Sequence, residues 1–168
     1  MNKQVWIEKA LGLGIQEFEI YQSTTVEKEM TWFQGQMDTL VSSKVTGTSI
    51  RGIVDGKMAN MALEEIDDSM CETVLKSLIE QAHIISNEET DSLRKPEAIE
   101  YVKKDVTWNM ASTEYVKDIL KSLEAKILAY DPRVIQVGYL GYSQGSGSRS
   151  IVNSLGMDVQ DADEMQYI

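Results

Sequence analysis

Hydrophobic and polar residues alternate with period two through much of the first half of the chain. Over residues 15–21, Phe18 and Ile20 share one face while Glu17, Glu19 and Tyr21 share the other, which predicts a strand with one face on a core. Ser23-Thr24 reads as a turn into a second strand over 25–33, where Val26, Met30 and Trp32 lie on one face. Three hairpin connections follow: Phe33-Gln34-Gly35-Gln36, Val45-Thr46-Gly47 and Val54-Asp55-Gly56-Lys57. The last is the firmest, because Asp-Gly supplies the two positive-φ residues that a type I′ turn needs. The flanking runs alternate as well, with Ile50, Gly52 and Val54 set against Ser49, Arg51 and Ile53, and Met58, Asn60 and Ala62 against Lys57, Ala59 and Met61. The stretch from Val26 to Leu63 therefore reads as an antiparallel meander.

Elsewhere the period lengthens to that of a helix. Val5, Ile7, Ala10 and Leu11 predict a short helix over 2–12, stopped by Gly12 and Gly14. Met70, Val74, Leu78, Ala82 and Ile85 predict a second over 69–85, with Ser69 and Glu72 spaced as a capping box and Glu72 and Lys76 as an (i, i+4) ion pair. Ser112 caps a third, with Val116, Ile119, Leu120, Leu123 and Ile127 as its apolar stripe; Asp131-Pro132 ends it, since the residue before proline is pushed out of helical geometry. After it come a strand from Val134 to Tyr142, a turn at Gln144-Gly145-Ser146-Gly147, a strand from Arg149 to Val152, a tight turn at Asn153-Ser154-Leu155-Gly156, and a further strand begun by Met157 and Val159. The polar, acidic stretch 87–111, interrupted by Pro96, reads as a linker pinned by Trp108. The predicted fold class is α+β: an antiparallel β-meander packed by helices in an N-terminal domain (1–86), then the linker, then a second helix-plus-β-hairpin unit (112–168). Both halves share one order of helix, strands and glycine turns, a weak internal repeat.

Charge narrows the partners. The formal net charge of −11 repels phosphate backbones, and the basic pairs Arg94-Lys95 and Lys103-Lys104 are too short to offset it, so no nucleic-acid partner is expected. One cysteine, Cys71, excludes an intramolecular disulfide and fits a reducing, cytoplasmic setting. No apolar run approaches ~18 residues, so no membrane span is expected.

Candidate chemistry is sparse. A catalytic zinc site needs about three side-chain ligands, and His83 is the sole histidine. Cys71 opens the same predicted helix twelve residues away, too far along it to form a Cys/His pair. Gly145-Ser146-Gly147-Ser148 lacks the Lys-Ser/Thr pair of a phosphate loop, and Gly12-Leu13-Gly14 precedes a strand instead of following one. Glu64-Glu65 and Asp67-Asp68 sit where helix capping accounts for them. Methionines are spread through both halves as core filling. No catalytic, cofactor-binding or metal residue is assigned.

One set of features has a family likeness. Ile20-Tyr21, Val26, Gln34-Gly35, Gly47, the run Ile50-Arg51-Gly52-Ile53-Val54-Asp55-Gly56-Lys57 and Ala62, followed by the capped helix through Ala82, resemble the N-terminal domain of the TldD/PmbA family. Asp131-Pro132-Arg133-Val134 and Asn153-Ser154-Leu155-Gly156 resemble the start of that family's central domain, and the Asn-Ser-x-Gly form leans toward the PmbA side. The resemblance implies an N-terminal portion of a zinc metallopeptidase subunit acting on peptides and unfolded segments, of a kind once called modulators of DNA gyrase. It implies a homodimer or a TldD/PmbA-type heterodimer in the full-length protein. It also implies zinc only in a TldD-type subunit, held by a His-Glu-x-x-x-His helix that no part of this sequence matches. The expected role is that of a non-catalytic scaffold and subunit-interaction module; the alternative is a free-standing small acidic hydrolase or a metal-free binding module.

Overall fold

The computed structural model describes residues 1–64, 66–86, 90–97 and 111–168. Its elements run α1 (Lys3–Gly12), β1 (Glu17–Phe33), β2 (Gln36–Val54), β3 (Lys57–Leu63), a short 3-10 turn (Asp68–Met70), α2 (Cys71–Ile84), α3 (Thr113–Leu128), β4 (Leu140–Asn153) and β5 (Asp158–Tyr167). The strands form one sheet in the order β3-β2-β1-β4-β5, antiparallel throughout, so the α+β class and the β-meander followed by a helix and hairpin are as the sequence predicts. No helix among the described residues is long and apolar enough to cross a membrane.

By packing, the chain divides into two compact units. The first is Met1–Thr24, Thr46–Lys103 and Ser148–Asp161; the second is Thr25–Val45, Lys104–Gly147 and Ala162–Ile168. In the first unit α1 is capped by Asn2, whose side chain accepts from Val5 N. Its C-terminus closes as a Schellman motif: Gly14 at φ 92° donates to Leu11 O, and Ile15 N reaches back to Ala10 O. Trp6, Ile7, Ala10 and Ile15 from this segment meet Phe18 and Ile20 of β1, Ile50 and Val54 of β2, and Val74, Leu75 and Leu78 of α2. α2 approaches β2 closely enough that a Cβ on Gly52 would stand 2.8 Å from Leu78 Cδ2. In the second unit Met30 and Trp32 of β1 pack with Val116 and Leu120 of α3 and Tyr142 of β4.

Both two-residue turns have the positive φ at each central residue that a type I′ turn requires: Gln34 at 48° with Gly35 at 77°, and Asp55 at 49° with Gly56 at 74°. The register from Val54↔Lys57 to Thr48↔Leu63 follows from the second of them. The Asn153–Gly156 turn is present as well, with Gly156 at φ 92°.

Three predicted turns are strand interior. Ser23-Thr24 lies within β1, Val45-Thr46-Gly47 within β2, and Gln144-Gly145-Ser146-Gly147 within β4. Ladder pairing satisfies these backbones without a reversal, and Thr24 Oγ1 meets Thr46 Oγ1 at 3.0 Å. The strand expected from Val134 begins only at Leu140; Ile135 (90% exposed) and Tyr139 (69%) stand in solvent. With no turn at 144–147, the second half has two strands where the first has three, and the internal repeat is lost. Asp67 caps the 3-10 turn that precedes α2, its Oδ1 accepting from Ser69 N at 2.7 Å; α2 itself begins after Met70 with no side-chain cap, and the expected Ser69–Glu72 box does not form, whereas the Glu72–Lys76 pair does, at 2.6 Å. The buried face of α1 carries Trp6 in place of Val5 and Leu11, both of which are exposed. Of the stretch read as a linker, residues 90–97 have neither helix nor strand. Their backbone is nevertheless tied down: Asp91 N donates to Gly56 O and Leu93 N to Glu17, while the Asp91 carboxylate accepts from Met58 N. Trp108 lies outside the described residues.

Candidate functional site

The polar residues gathered most tightly in the first unit belong to β1, β2 and the β4–β5 turn. Glu19 is 3% exposed and would be costly to bury as a lone carboxylate. Its Oε1 accepts from Arg51 Nε at 3.0 Å and, in a shorter contact, from Arg51 Nη2. Its Oε2 accepts from Asn153 Nδ2. Asn153 is itself buried; Nδ2 also donates to the Arg94 carbonyl at 2.9 Å, while Oδ1 accepts from Leu155 N and Met157 N, each at 3.0 Å. Next to it Ser154 exchanges two bonds with β1: Ser154 N donates to Phe18 O, and Ser154 Oγ accepts from Phe18 N. Gly156 supplies the left-handed backbone that lets the turn close on Asn153. Asn153, Ser154 and Gly156 therefore act as a joint that fastens the β4–β5 hairpin to β1, and Arg51 fixes the carboxylate on which the joint rests. Among the described residues every buried side-chain nitrogen and oxygen has a partner. Within the cluster the Glu19 carboxylate and the Asn153 amide are paired at both ends.

A second buried carboxylate, missed in the sequence, lies in the other unit. Glu124 accepts from Trp32 Nε1 at 2.8 Å and from Gly35 N at 3.2 Å, tying α3 to the first hairpin turn. Its spacing of four from Leu120 and eight from Val116 puts it on the buried line of α3, which is the signal that could have found it. Beside it an open, mostly apolar groove of about 440 Å³ is lined by Met30, Leu123, Leu140, Tyr142 and Tyr167, with Glu29 and Thr31 at its polar side.

The remaining candidates are not brought together. His83 is exposed, with Nε2 3.7 Å from Asp55 Oδ2, and among the described residues no third donor joins them; two residues alone do not make a zinc centre. Among the described residues no group of three His, Cys, Asp or Glu converges on a point. Cys71 is buried, and desolvation pushes its thiol pKa up, away from a reactive thiolate. Gly145 to Ser148 belong to a strand and form no anion-binding loop. Asp67 and Asp68 have lowered pKa values, held down by hydrogen bonds from Ser69 and from Asn2 N and Trp6 Nε1 respectively; Asp67 caps the 3-10 turn as expected, whereas Asp68 instead fastens the start of α1. Glu65 lies outside the described residues.

The family model for PmbA/TldA metallopeptidase domain 1 matches residues 18–86, and that for the PmbA/TldA metallopeptidase central domain matches 107–168. No curated protein sequence matches the chain. Among solved structures, TldE from Thermococcus kodakarensis superposes with TM-score 0.78 at 19% identity, covering 96% of this chain and 37% of that one. A proposed modulator of DNA gyrase from Thermotoga maritima gives 0.73 at 19% identity, covering 98% and 37%. A second, from Bacteroides thetaiotaomicron, gives 0.74 at 19%, covering 97% and 38%. The chain thus spans a little over a third of the length of these structures, and at this identity they show a shared fold. The two domain models between them match most of the sequence in family order: the chain belongs to the PmbA/TldD metallopeptidase family and carries its first domain and central-domain residues.

Proposed function

We propose that this chain is a non-catalytic N-terminal region of a PmbA/TldD-type metallopeptidase subunit, serving as scaffold and subunit-interaction module for proteolysis of peptides or unfolded segments by the whole assembly. The observation that supports this reading is the Glu19–Arg51–Asn153 joint. Residues that carry the family likeness, Arg51, Asn153, Ser154 and Gly156, hold the hairpins together. In this reading the cofactor is zinc in a TldD-type subunit, the setting is cytoplasmic, and the partners are a second PmbA/TldD-type subunit and peptide substrates. The net charge of −11 argues against a nucleic-acid partner.

The test is direct. The 168-residue chain, incubated with an unfolded protein substrate in the presence and absence of added Zn²⁺, should release no peptides, and it should co-purify with a TldD-type subunit when the two are produced together. Hydrolysis by the chain alone would favour the small-hydrolase alternative and overturn the scaffold reading.

A further inference from the structure

We propose that the open edge of β2 over residues 36–45 pairs with the same edge of a second copy of this chain, antiparallel, about a two-fold axis at Val41. We build on the reading above that the chain acts through a second subunit; what is added is the surface and the register.

β3 covers β2 only from Thr48 to Val54. The other neighbour of β2 is β1, so over residues 36–45 the edge facing away from β1 has no strand beside it among the described residues. The side chains along it are open too: Met37 is 38% exposed, Leu40 43%, Val41 53% and Val45 62%. Thr31 Oγ1 meets Thr39 Oγ1 at 2.6 Å, which puts Thr39 on the face opposite the buried Met30 and Trp32. Period two then gathers Met37, Val41 and Val45 into one apolar stripe on that face.

An exposed, apolar strand edge is a template for pairing, and soluble proteins usually blunt such edges with charge, proline or shortness. The other two edges of this sheet are blunted. β3 has only 7 residues, and β5 carries Asp158, Asp161, Asp163 and Glu164 in a strand of 10. Residues 36–45 contain no proline and two charges, Asp38 and Lys44, of opposite sign and both exposed.

Those two charges select the occupant. Antiparallel self-pairing centred on Val41 sets Asp38 opposite Lys44 of the second copy, and Lys44 opposite its Asp38. Met37 then faces Val45, Thr39 faces Ser43, Leu40 faces Ser42, and Val41 faces itself. Sliding the register by two residues in either direction breaks both ion pairs. Opposite charges and apolar residues set directly across a ladder are the favourable cross-strand pairs. The segment is thus complementary to its own reversed copy, which an edge shaped for an unrelated peptide has no reason to be.

Sedimentation of the full 168-residue chain over a concentration series should show a monomer–dimer equilibrium. Asp38→Lys sets like charges opposite each other at both ends of the pairing and should weaken the dimer about tenfold or more. Lys44→Asp should do the same, and the double variant Asp38→Lys/Lys44→Asp should restore it. Val41→Cys should give an oxidised dimer linked through residue 41, while the native chain, whose Cys71 is buried, should give none. Circular dichroism confirms that each variant folds. A chain that stays monomeric, a dimer indifferent to the single charge reversals, or a double variant no tighter than the singles would overturn the proposal. Co-purification with a TldD-type subunit separates the two readings. If a monomeric chain still binds it, the self-pairing falls and the scaffold role stands. If the chain dimerises as described but binds no such subunit, the reverse holds.

Discussion

The two compact units solve the problem of a core in different ways. Among the described residues, the first unit clusters fourteen buried hydrophobic residues, from Trp6 to Ala82, and its one buried acid in the sheet, Glu19, is neutralised by Arg51. The second clusters five, Met30, Trp32, Val116, Leu120 and Tyr142, and inserts Glu124 and Gln144 among them. Gln144 Oε1 accepts from Ala111 N and Tyr142 Oη, and Glu124 accepts from Trp32 and Gly35. The first unit sets its buried polar residues, Glu19, Thr48 and Asn153, against fourteen clustered apolar ones, whereas the second sets Glu124 and Gln144 against five, so satisfied polar groups form a larger share of the second core. A small core tolerates a truncation by collapsing but tolerates an orphaned donor badly.

The largest expected effect tests the apolar side of that contrast. Trp6 is fully buried, and Trp6→Ala should cost about 3–5 kcal/mol, while Leu120→Ala in the smaller cluster should fall near the lower end of its class, about 2 kcal/mol. Urea denaturation measures both, and equal losses would break the comparison. Next comes the polar side. Glu124→Ala strands the buried Trp32 Nε1–H and the Gly35 N–H and should cost about 1–3 kcal/mol, whereas Glu124→Gln keeps an acceptor and should cost visibly less. A Gln variant as damaging as the Ala variant would show that the charge, and not the hydrogen bonds, holds α3.

A pair of glycines sharpens the contrast further. Gly56 sits at φ 74°, with Thr90 Cγ2 3.1 Å from where a Cβ would stand, so Gly56→Val should cost about 1–3 kcal/mol. Gly145 is ordinary strand, and the nearest atom to its virtual Cβ is 3.7 Å away, so Gly145→Val should stay within about 0.5 kcal/mol of the parent. Thermal midpoints of the two variants decide it.

The smallest effect is with pH. Asp68 accepts from Asn2 N and Trp6 Nε1, and these bonds lower its folded pKa below that of the unfolded chain. The unfolded state then binds the proton more tightly. The contribution is therefore present above the ordinary carboxylate pKa and lost as pH falls through the folded value. Asp68→Asn should flatten the acid limb of a stability–pH profile, and an unchanged limb would mean other carboxylates set it.

Much of this was legible in the sequence. Asp55-Gly56 announced its turn because few residue pairs accept two positive φ values, and Ser112 announced α3 because a serine before an apolar 3.6 period has one common use. The family order was legible as well. What misled were the small polar stretches at 23–24, 45–47 and 144–147, which carry the composition of turns. Each coincides with a point where a strand leaves one compact unit for the other, at Thr24/Thr25, Val45/Thr46 and Gly147/Ser148. Such residues are tolerated there because neither core requires a large side chain at that position, while the ladder still satisfies the backbone. Local pattern thus determined which residues can turn, cap or face a core. Whether a given Ser-Thr or Gly-Ser stretch turns, whether Glu124 is buried, and which polar atoms join Glu19, Arg51 and Asn153 were settled by tertiary pairing, because those outcomes depend on partners dozens of residues away in sequence.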